Sequence, residues 1–431
     1  MSKTAQRKRT LPMLAMAIAS FLLPLPGRCG PATAPAGWQA DPQVQEELAR
    51  KKTTWIYREE DVKPYTVPDP LQPAGGQRVT DTSAWERAAR PLTLELFRTH
   101  VYGRAPAKAG EIKFEQVLCD EKAVAGSATH KRVRIVCTDG GKSYAFEASL
   151  LYPNARHGRL PTFLLINNRP VASADPGRKE KNDFWPVEQI LARGYAAAVF
   201  NTYAVDPDKD GSAERAKGVR GVWPAGGGTI GKDAWGTIAA WAWGASRVMD
   251  WLATEPAVDA DHVAIIGHSR GGKTSLWAGA QDPRFALVIS NDSGAVGAAL
   301  SKRIFGETVA LTNNRFPYWF CENFKKYHDR EDDLPVEQNQ LLALMAPRAL
   351  AVGSADADLW ADPRGEFLSL AYAAPVYALY GLPGMPADEM PPLESPLVRG
   401  HVAYHVRRGI HNLTLYDWQC YMDFADSLWR Q

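Results

Sequence analysis

The chain is poor in cysteine: five in 431 residues, with no C-x-x-C among them, so the usual thiolate zinc centres are excluded. Cys119, Cys137, Cys321 and Cys420 stand far apart, and the pair best placed for a disulfide in an oxidising compartment is Cys119 with Cys137, near an expected hairpin. There is no excess of basic residues. The formal charge of +2 is carried by an N-terminal stretch containing Lys3, Arg7, Lys8, Arg9 and Arg28 and no acid, and losing those five side chains would leave −3. Nucleic-acid binding, which is driven by basic surface, is therefore not expected. A bilayer-spanning run is also missing, because the apolar segment from Leu11 is interrupted by Pro24 and Pro26. No internal repeat or low-complexity linker divides the chain.

What is present begins with an export signal. A basic start, the apolar run and Ala34-Pro35-Ala36 fit a cleaved leader covering residues 1–36. Lipidation at Cys29 is the rival, and Arg28 before that cysteine suits it badly. Residues 37–74, rich in proline and charge, read as an N-terminal extension wrapping the domain, with a short amphipathic piece at Gln43–Lys52. Residues 75–431 read as one catalytic domain.

The domain opens with a helix expected over Ser83–His100, capped by the serine and disturbed by Pro91. Alternating segments at Arg132–Thr138 and Ser143–Tyr152 flank Asp139-Gly140-Gly141, a hairpin signal. Short continuous apolar runs follow at Thr162–Ile166, Ala196–Phe200, Val263–Ile266, Ala286–Ser290 and Ala349–Val352. Helical segments are expected between them, at Phe184–Arg193, Trp235–Thr254, Lys273–Ala280, Pro335–Leu344 and Gly365–Leu379. Strands apolar on both faces and alternating with helices imply an α/β fold. The expected form is a three-layer αβα sandwich with a mostly parallel central sheet and an antiparallel N-terminal edge, the arrangement of an α/β-hydrolase.

Asp206-Pro-Asp-Lys-Asp-Gly211 begins like a calcium loop, but its twelfth position is Lys217 where a bidentate Glu is required, so it reads as a solvated loop. Neither a metal nor an organic cofactor is expected.

The chemistry is concentrated at Gly267-His-Ser-Arg-Gly271, a G-x-S-x-G directly after an apolar run and directly before a helix. In that context Ser269 occupies a strained strand-to-helix turn, with its hydroxyl projecting beside a helix N-terminus that favours negative charge. A base and an acid should follow in sequence. His401 and His405 have strand parity and His328 lies in a charged stretch, which leaves His411, in Arg408-Gly-Ile-His-Asn412, as the expected base. Two aspartates at strand ends could serve as the acid, Asp358 and Asp292, and the later loop favours Asp358.

Together, Gly267-His-Ser-Arg-Gly-Gly-Lys273, Asn291-Asp-Ser-Gly294, Gly306-Glu307-Thr308, Phe316-Pro-Tyr-Trp-Phe-Cys321, Leu344-Met-Ala-Pro-Arg348 and Asp358-Leu-Trp-Ala-Asp-Pro-Arg-Gly-Glu366 resemble a bacterial glucuronoyl esterase, of carbohydrate esterase family 15. The resemblance covers about Phe163 onward and is most specific at Ser-Arg-x-Gly-Lys. It implies hydrolysis of esters between xylan glucuronic acid and lignin alcohols. It also implies that Arg270 helps hold the oxyanion, that Lys273 and Glu307 bond sugar hydroxyls, and that Trp360 packs near the sugar. The family has an acid, often glutamate, at the position of Asp292, and some members use that of Asp358. The expected partner is thus a glucuronoxylan or lignin–carbohydrate ester, met by a monomer with no nucleic-acid or membrane partner. Rival readings are an acetylxylan or general carboxylester hydrolase, a prolyl-type peptidase, for which the chain has no room for a propeller, and a non-catalytic polysaccharide-binding relative.

Overall fold

The computed structural model describes residues 37–430 except 52–54, 107–109, 156, 225–230 and 389, so the expected leader lies outside the described residues. Among the described residues, ten strands form one sheet: β1 (Glu111–Ala123), β2 (Ala128–Asp139), β3 (Lys142–Pro153), β4 (Leu160–Asn167), β5 (Ala196–Asn201), β6 (Val258–His268), β7 (Phe285–Asn291), β8 (Ala349–Ala355), β9 (Leu397–Arg399) and β10 (Val402–Arg407). Their order is β1-β2-β3-β5-β4-β6-β7-β8-β10-β9. The strands from β1 to β3 pair antiparallel, as do β3 with β5 and β10 with β9, while β5-β4-β6-β7-β8-β10 run parallel. Asp139 pairs with Lys142 across Gly140 and Gly141, both at positive φ, as a tight primed turn requires.

The apolar runs are continuous because each is divided between two cores. Leu164, Ile265, Val288 and Leu350 face one side, against helices Thr237–Leu252 and Arg270–Gln281. Leu165, Ile266, Ile289 and Ala351 face the other, under Val187–Ala192 and the final helix Leu415–Trp429. Period-two alternation sends neighbours along each strand to opposite layers, and both layers are apolar.

Several boundaries differ from expectation. Asp81, not Ser83, caps the first long helical stretch by accepting from the Ala84 amide at 2.8 Å. That stretch is α-helical at Thr82–Ala84 and Arg90–Phe97 and wound as π turns at Trp85–Ala89 and Arg98–Tyr102. Pro91 falls in the first turn of Arg90–Phe97, where a missing N–H costs little. Strand β1 was not expected: its residues are mostly exposed, so it carries little apolar signal. Cys119 and Cys137 are free, since register puts Cys119 opposite Lys131 and Cys137 opposite Ile112. Among the described residues, no helix is long and apolar enough to cross a membrane.

Residues 37–62 pack Trp38, Val44, Leu48, Trp55 and Ile56 around Tyr57, Phe305 and Leu359. The Gly306 amide donates to the Ile56 carbonyl at 2.9 Å, which ties this segment to the loops at the carboxyl edge of the sheet. The ends of β6, β7, β8 and β10 meet at that edge, the usual ligand-binding edge of an open parallel sheet.

Candidate active site

Ser269 directly follows β6, at φ 59°, ψ −127°, and occupies the N-cap position of the helix Arg270–Gln281 without spending its hydroxyl on a cap bond. The turn can be this tight because Gly267 has no side chain: a Cβ there would lie 1.9 Å from the Gly271 carbonyl oxygen. A hydrogen bond from the Ser269 amide to the Asn291 carbonyl, 2.8 Å, ties the elbow to β7. The preceding residue, His268, is buried and gives its Nδ1–H to Asn291 Oδ1 at 2.7 Å. Burial, and then the charge of His411, hold its pKa well below the usual imidazole range, so it stays neutral.

His411 lies in the loop between β10 and the final helix and is exposed. Its ring stands 4.4 Å, centroid to centroid, from that of His268, which sets it beside the nucleophile turn. Its Nδ1–H donates to Asp358 Oδ2 at 2.5 Å, which leaves Nε2 as the atom able to accept a proton. Ser269 and His411 share no direct hydrogen bond in this ligand-free arrangement, where such contacts are often long.

Asp358 follows β8 and Asp292 follows β7, and one oxygen of each lies within 4.8 Å of the other and of a His411 ring nitrogen. The two are not equivalent. Asp292 is fully buried, with Oδ2 accepting from Arg407 Nη2 at 3.2 Å and Oδ1 left without a partner. Burial, then the charges of Asp358 and Asp417, push its carboxyl well above the usual range against the pull of Arg407. Asp292 is thus held by Arg407, and the hydrogen bond from His411 goes to Asp358. The Arg407 guanidinium already supplies positive charge here, which disfavours a metal cation at the same oxygens.

Arg407, unremarked in the sequence, organises this corner. Besides Asp292 it donates to the carbonyls of Arg408 (3.0 Å), Ile410 (3.2 Å) and Asn412, and through Nε to Asp417 Oδ2 (2.7 Å). One buried guanidinium thus gathers the loop that carries His411. Two other candidate histidines are occupied elsewhere: His405 bonds Asp417 at 2.8 Å and His401 the Pro347 carbonyl at 2.6 Å.

On the other side of the nucleophile, Arg270 donates through Nη2 to the Asn168 carbonyl at 2.9 Å and the Tyr203 hydroxyl at 3.1 Å. Asp208 Oδ2 lies 2.6 Å from its Nε but off the N–H axis, an ion pair rather than an aligned hydrogen bond. Nη1 has no protein partner among the described residues, so the fixed fork keeps donors for a substrate oxygen. Asp208 belongs to the loop expected to be solvated, and this is a correction. Asp206 is fully buried, paired with Arg220 at 2.7 Å, and accepts from Thr237 at 3.2 Å. Two of the three acids that mimic a calcium loop, Asp206 and Asp208, are spent on arginines, and Asp210 remains exposed.

A family model for fungal glucuronyl esterases matches residues 135–381. A carbohydrate esterase of an unknown prokaryotic organism is 37% identical over 90% of this chain and 94% of its own. A solved glucuronoyl esterase from Solibacter usitatus superposes with a TM-score of 0.80 at 39% identity, covering 86% of this chain and all of that one. A promiscuous family 15 esterase from a marine bacterial metagenome superposes with a TM-score of 0.77 at 38% identity, over 86% and 99%. This chain belongs to the glucuronoyl esterase family.

In this glucuronoyl esterase the residues expected to read the sugar are arranged unequally. Lys273 is buried, and its ammonium donates to the carbonyls of Ser293 (2.6 Å) and Ala295 and to Glu307 Oε2 (2.8 Å). Those contacts engage all three of its donors within the protein. Glu307 has one oxygen on Lys273, while its amide bonds the Trp360 carbonyl at 3.0 Å. Trp360 is half-buried and meets Trp55 edge-on, with ring centroids 4.5 Å apart. Tyr57, two residues on from Trp55, is buried near Asp358. Its hydroxyl is pushed up to about 12 by burial and then by that carboxylate. The N-terminal segment thus brings aromatic residues to the site, and nothing in its local composition signalled this.

Proposed function

We propose that this enzyme hydrolyses the ester between the carboxyl of a glucuronic acid side chain on xylan and an alcohol of lignin, by acyl transfer through Ser269. The observation that carries the mechanism is the His411 Nδ1–Asp358 hydrogen bond, which orients an imidazole lying beside the Ser269 turn. His411 Nε2 takes the hydroxyl proton as Ser269 Oγ attacks the ester carbonyl. The tetrahedral oxyanion forms beside Arg270 and the helix N-terminus, and the alcohol leaves with the proton from His411. Water, deprotonated by the same imidazole, then frees the acid. Asp292 and Arg407 hold the His411 loop. A relative from Schizophyllum commune, 28% identical over 74% of this chain, is named a 4-O-methyl-glucuronoyl methylesterase, which supports the sugar and the ester type. The leader-like residues 1–36 support export to the periplasm or the medium, where such a polymer is met.

The marine neighbour's description as promiscuous favours a second reading, a broader carboxylester hydrolase acting on acetylated xylan. Turnover of benzyl glucuronate beside acetate release from acetylxylan separates the two. The glucuronate reading expects the benzyl ester to have the larger kcat/KM, and faster acetate release would defeat it.

A further inference from the structure

The loop from Asp206 to Gly211 has a second surface that the catalytic arrangement does not use. Beyond Asp208 it borders a cavity of about 650 Å³, within the range of sites that hold small ligands. Half-buried Tyr318 supplies an aromatic wall, with Trp235 and Phe320 buried behind it. Most of its charged lining is already matched: Arg220 pairs with Asp206 at 2.7 Å, Lys325 with Glu322 at 2.7 Å, and Lys209 stands 3.7 Å from Glu214. Two cations remain unmatched. Arg215 and Lys232 meet no carboxylate among the described residues, and Arg215 gives an N–H only to the Pro224 carbonyl, at 3.2 Å. The Arg215 guanidinium is half-buried; burial and then the charge of Arg220 work against it and the more distant Asp206 only in part offsets them, so a directly bound anion would relieve it. The opposing acid, Asp210, is exposed and accepts from the Gly211 amide.

Unmatched cations beside the Tyr318 ring suit a sugar that bears a carboxylate: the fork of Arg215 pairs with the acid and the ring meets the apolar face. We propose that this cavity is a second carbohydrate subsite, binding a free, unesterified uronic acid residue of the same polysaccharide through Arg215 and Lys232. The inference rests on the glucuronate-ester reading for its choice of polymer. The cavity also communicates with the reaction centre. Tyr318, on its wall, donates to Asp208 Oδ1 at 3.0 Å, and Asp208 is the carboxylate beside Arg270.

Titration calorimetry on the inert Ser269→Ala protein tests this, with a xylo-oligosaccharide carrying one free glucuronic acid as probe and the neutral oligosaccharide of equal length as control. The acidic probe is expected to bind more tightly than the neutral one. Arg215→Gln with Lys232→Gln, added to Ser269→Ala, should weaken the acidic probe roughly tenfold and leave the neutral probe unchanged. Lys232→Gln alone, at an exposed position with no internal contact to lose, should shift affinity in the same direction. Equal affinity for the two probes, or an acidic affinity unaffected by these substitutions, would overturn the subsite. Benzyl glucuronate turnover by the otherwise wild-type Arg215→Gln, Lys232→Gln protein reports separately on the active-site reading, because neither residue touches Ser269 or His411.

Discussion

Two aspartates within reach of one imidazole raise the question of which one works. Asp358 holds the Nδ1–H of His411, whereas Asp292 is driven toward its neutral form by burial and is engaged by Arg407. Replacing Asp358 by Asn removes the acceptor that fixes the tautomer and steadies the imidazolium, so kcat should fall about 10³–10⁴-fold. Asp292→Asn mimics the neutral acid and should cost roughly tenfold or less. Steady-state kinetics of both variants on benzyl glucuronate check this, and the reverse ranking would reassign the acid. Arg407→Met leaves the buried Asp417 without one of its donors and releases three loop carbonyls, so it should lower both kcat and melting temperature. The cost to stability should be about 3–5 kcal/mol by denaturant titration.

At the scale of elements, buried struts hold the loops that carry the site. Lys273, on the nucleophile helix, reaches Ser293, Ala295 and Glu307 in the segments that follow β7. Lys273→Met should therefore cost about 3–5 kcal/mol through the stranded Glu307 carboxylate, and Lys273→Met with Glu307→Leu should recover part of it. A sugar-reading role alone would leave the melting curve unchanged. A second strut is Glu366, fully buried, whose Oε1 accepts from the amides of Ser293 (2.8 Å) and Gly294 (3.0 Å) and whose Oε2 accepts from Ser354 Oγ (2.6 Å). It ties the loop of Asp292 to the end of β8 that leads to Asp358. Burial raises its pKa to about 8. A carboxyl with a raised folded pKa contributes its full stability below its unfolded value, about 4.3, and loses it as pH climbs through the folded value. The wild-type melting temperature should thus decline between pH 5 and about 8, and Glu366→Gln, which copies the protonated form, should flatten that decline.

Across the whole molecule, what could be read in the sequence follows the range over which each signal acts. The parallel strands were legible because burial on both faces writes an unbroken apolar run, and the Ser269 turn was legible because strand, glycines and helix are contiguous. Strand β1 was not, since an exposed edge needs no apolar pattern. Arg407 was hidden for another reason. Its parity within β10 was visible, but Asp292, the partner that gives it meaning, is 115 residues away. Trp55 and Tyr57 likewise gain significance only from Trp360 and Asp358, and Asp206 and Asp208 looked solvated because their arginines, Arg220 and Arg270, lie outside the loop itself. The three internal acceptors of Lys273 were not legible either, because they lie beyond its own helix in the segments that follow β7. The account as a whole depends on the Ser269 hydroxyl being the atom acylated by a glucuronate ester. The most direct measurement is kcat/KM on benzyl glucuronate for the wild type beside Ser269→Ala: the expected result is measurable turnover by the former and a loss of about 10⁴–10⁶-fold in the latter. Comparable turnover by the two proteins would contradict it.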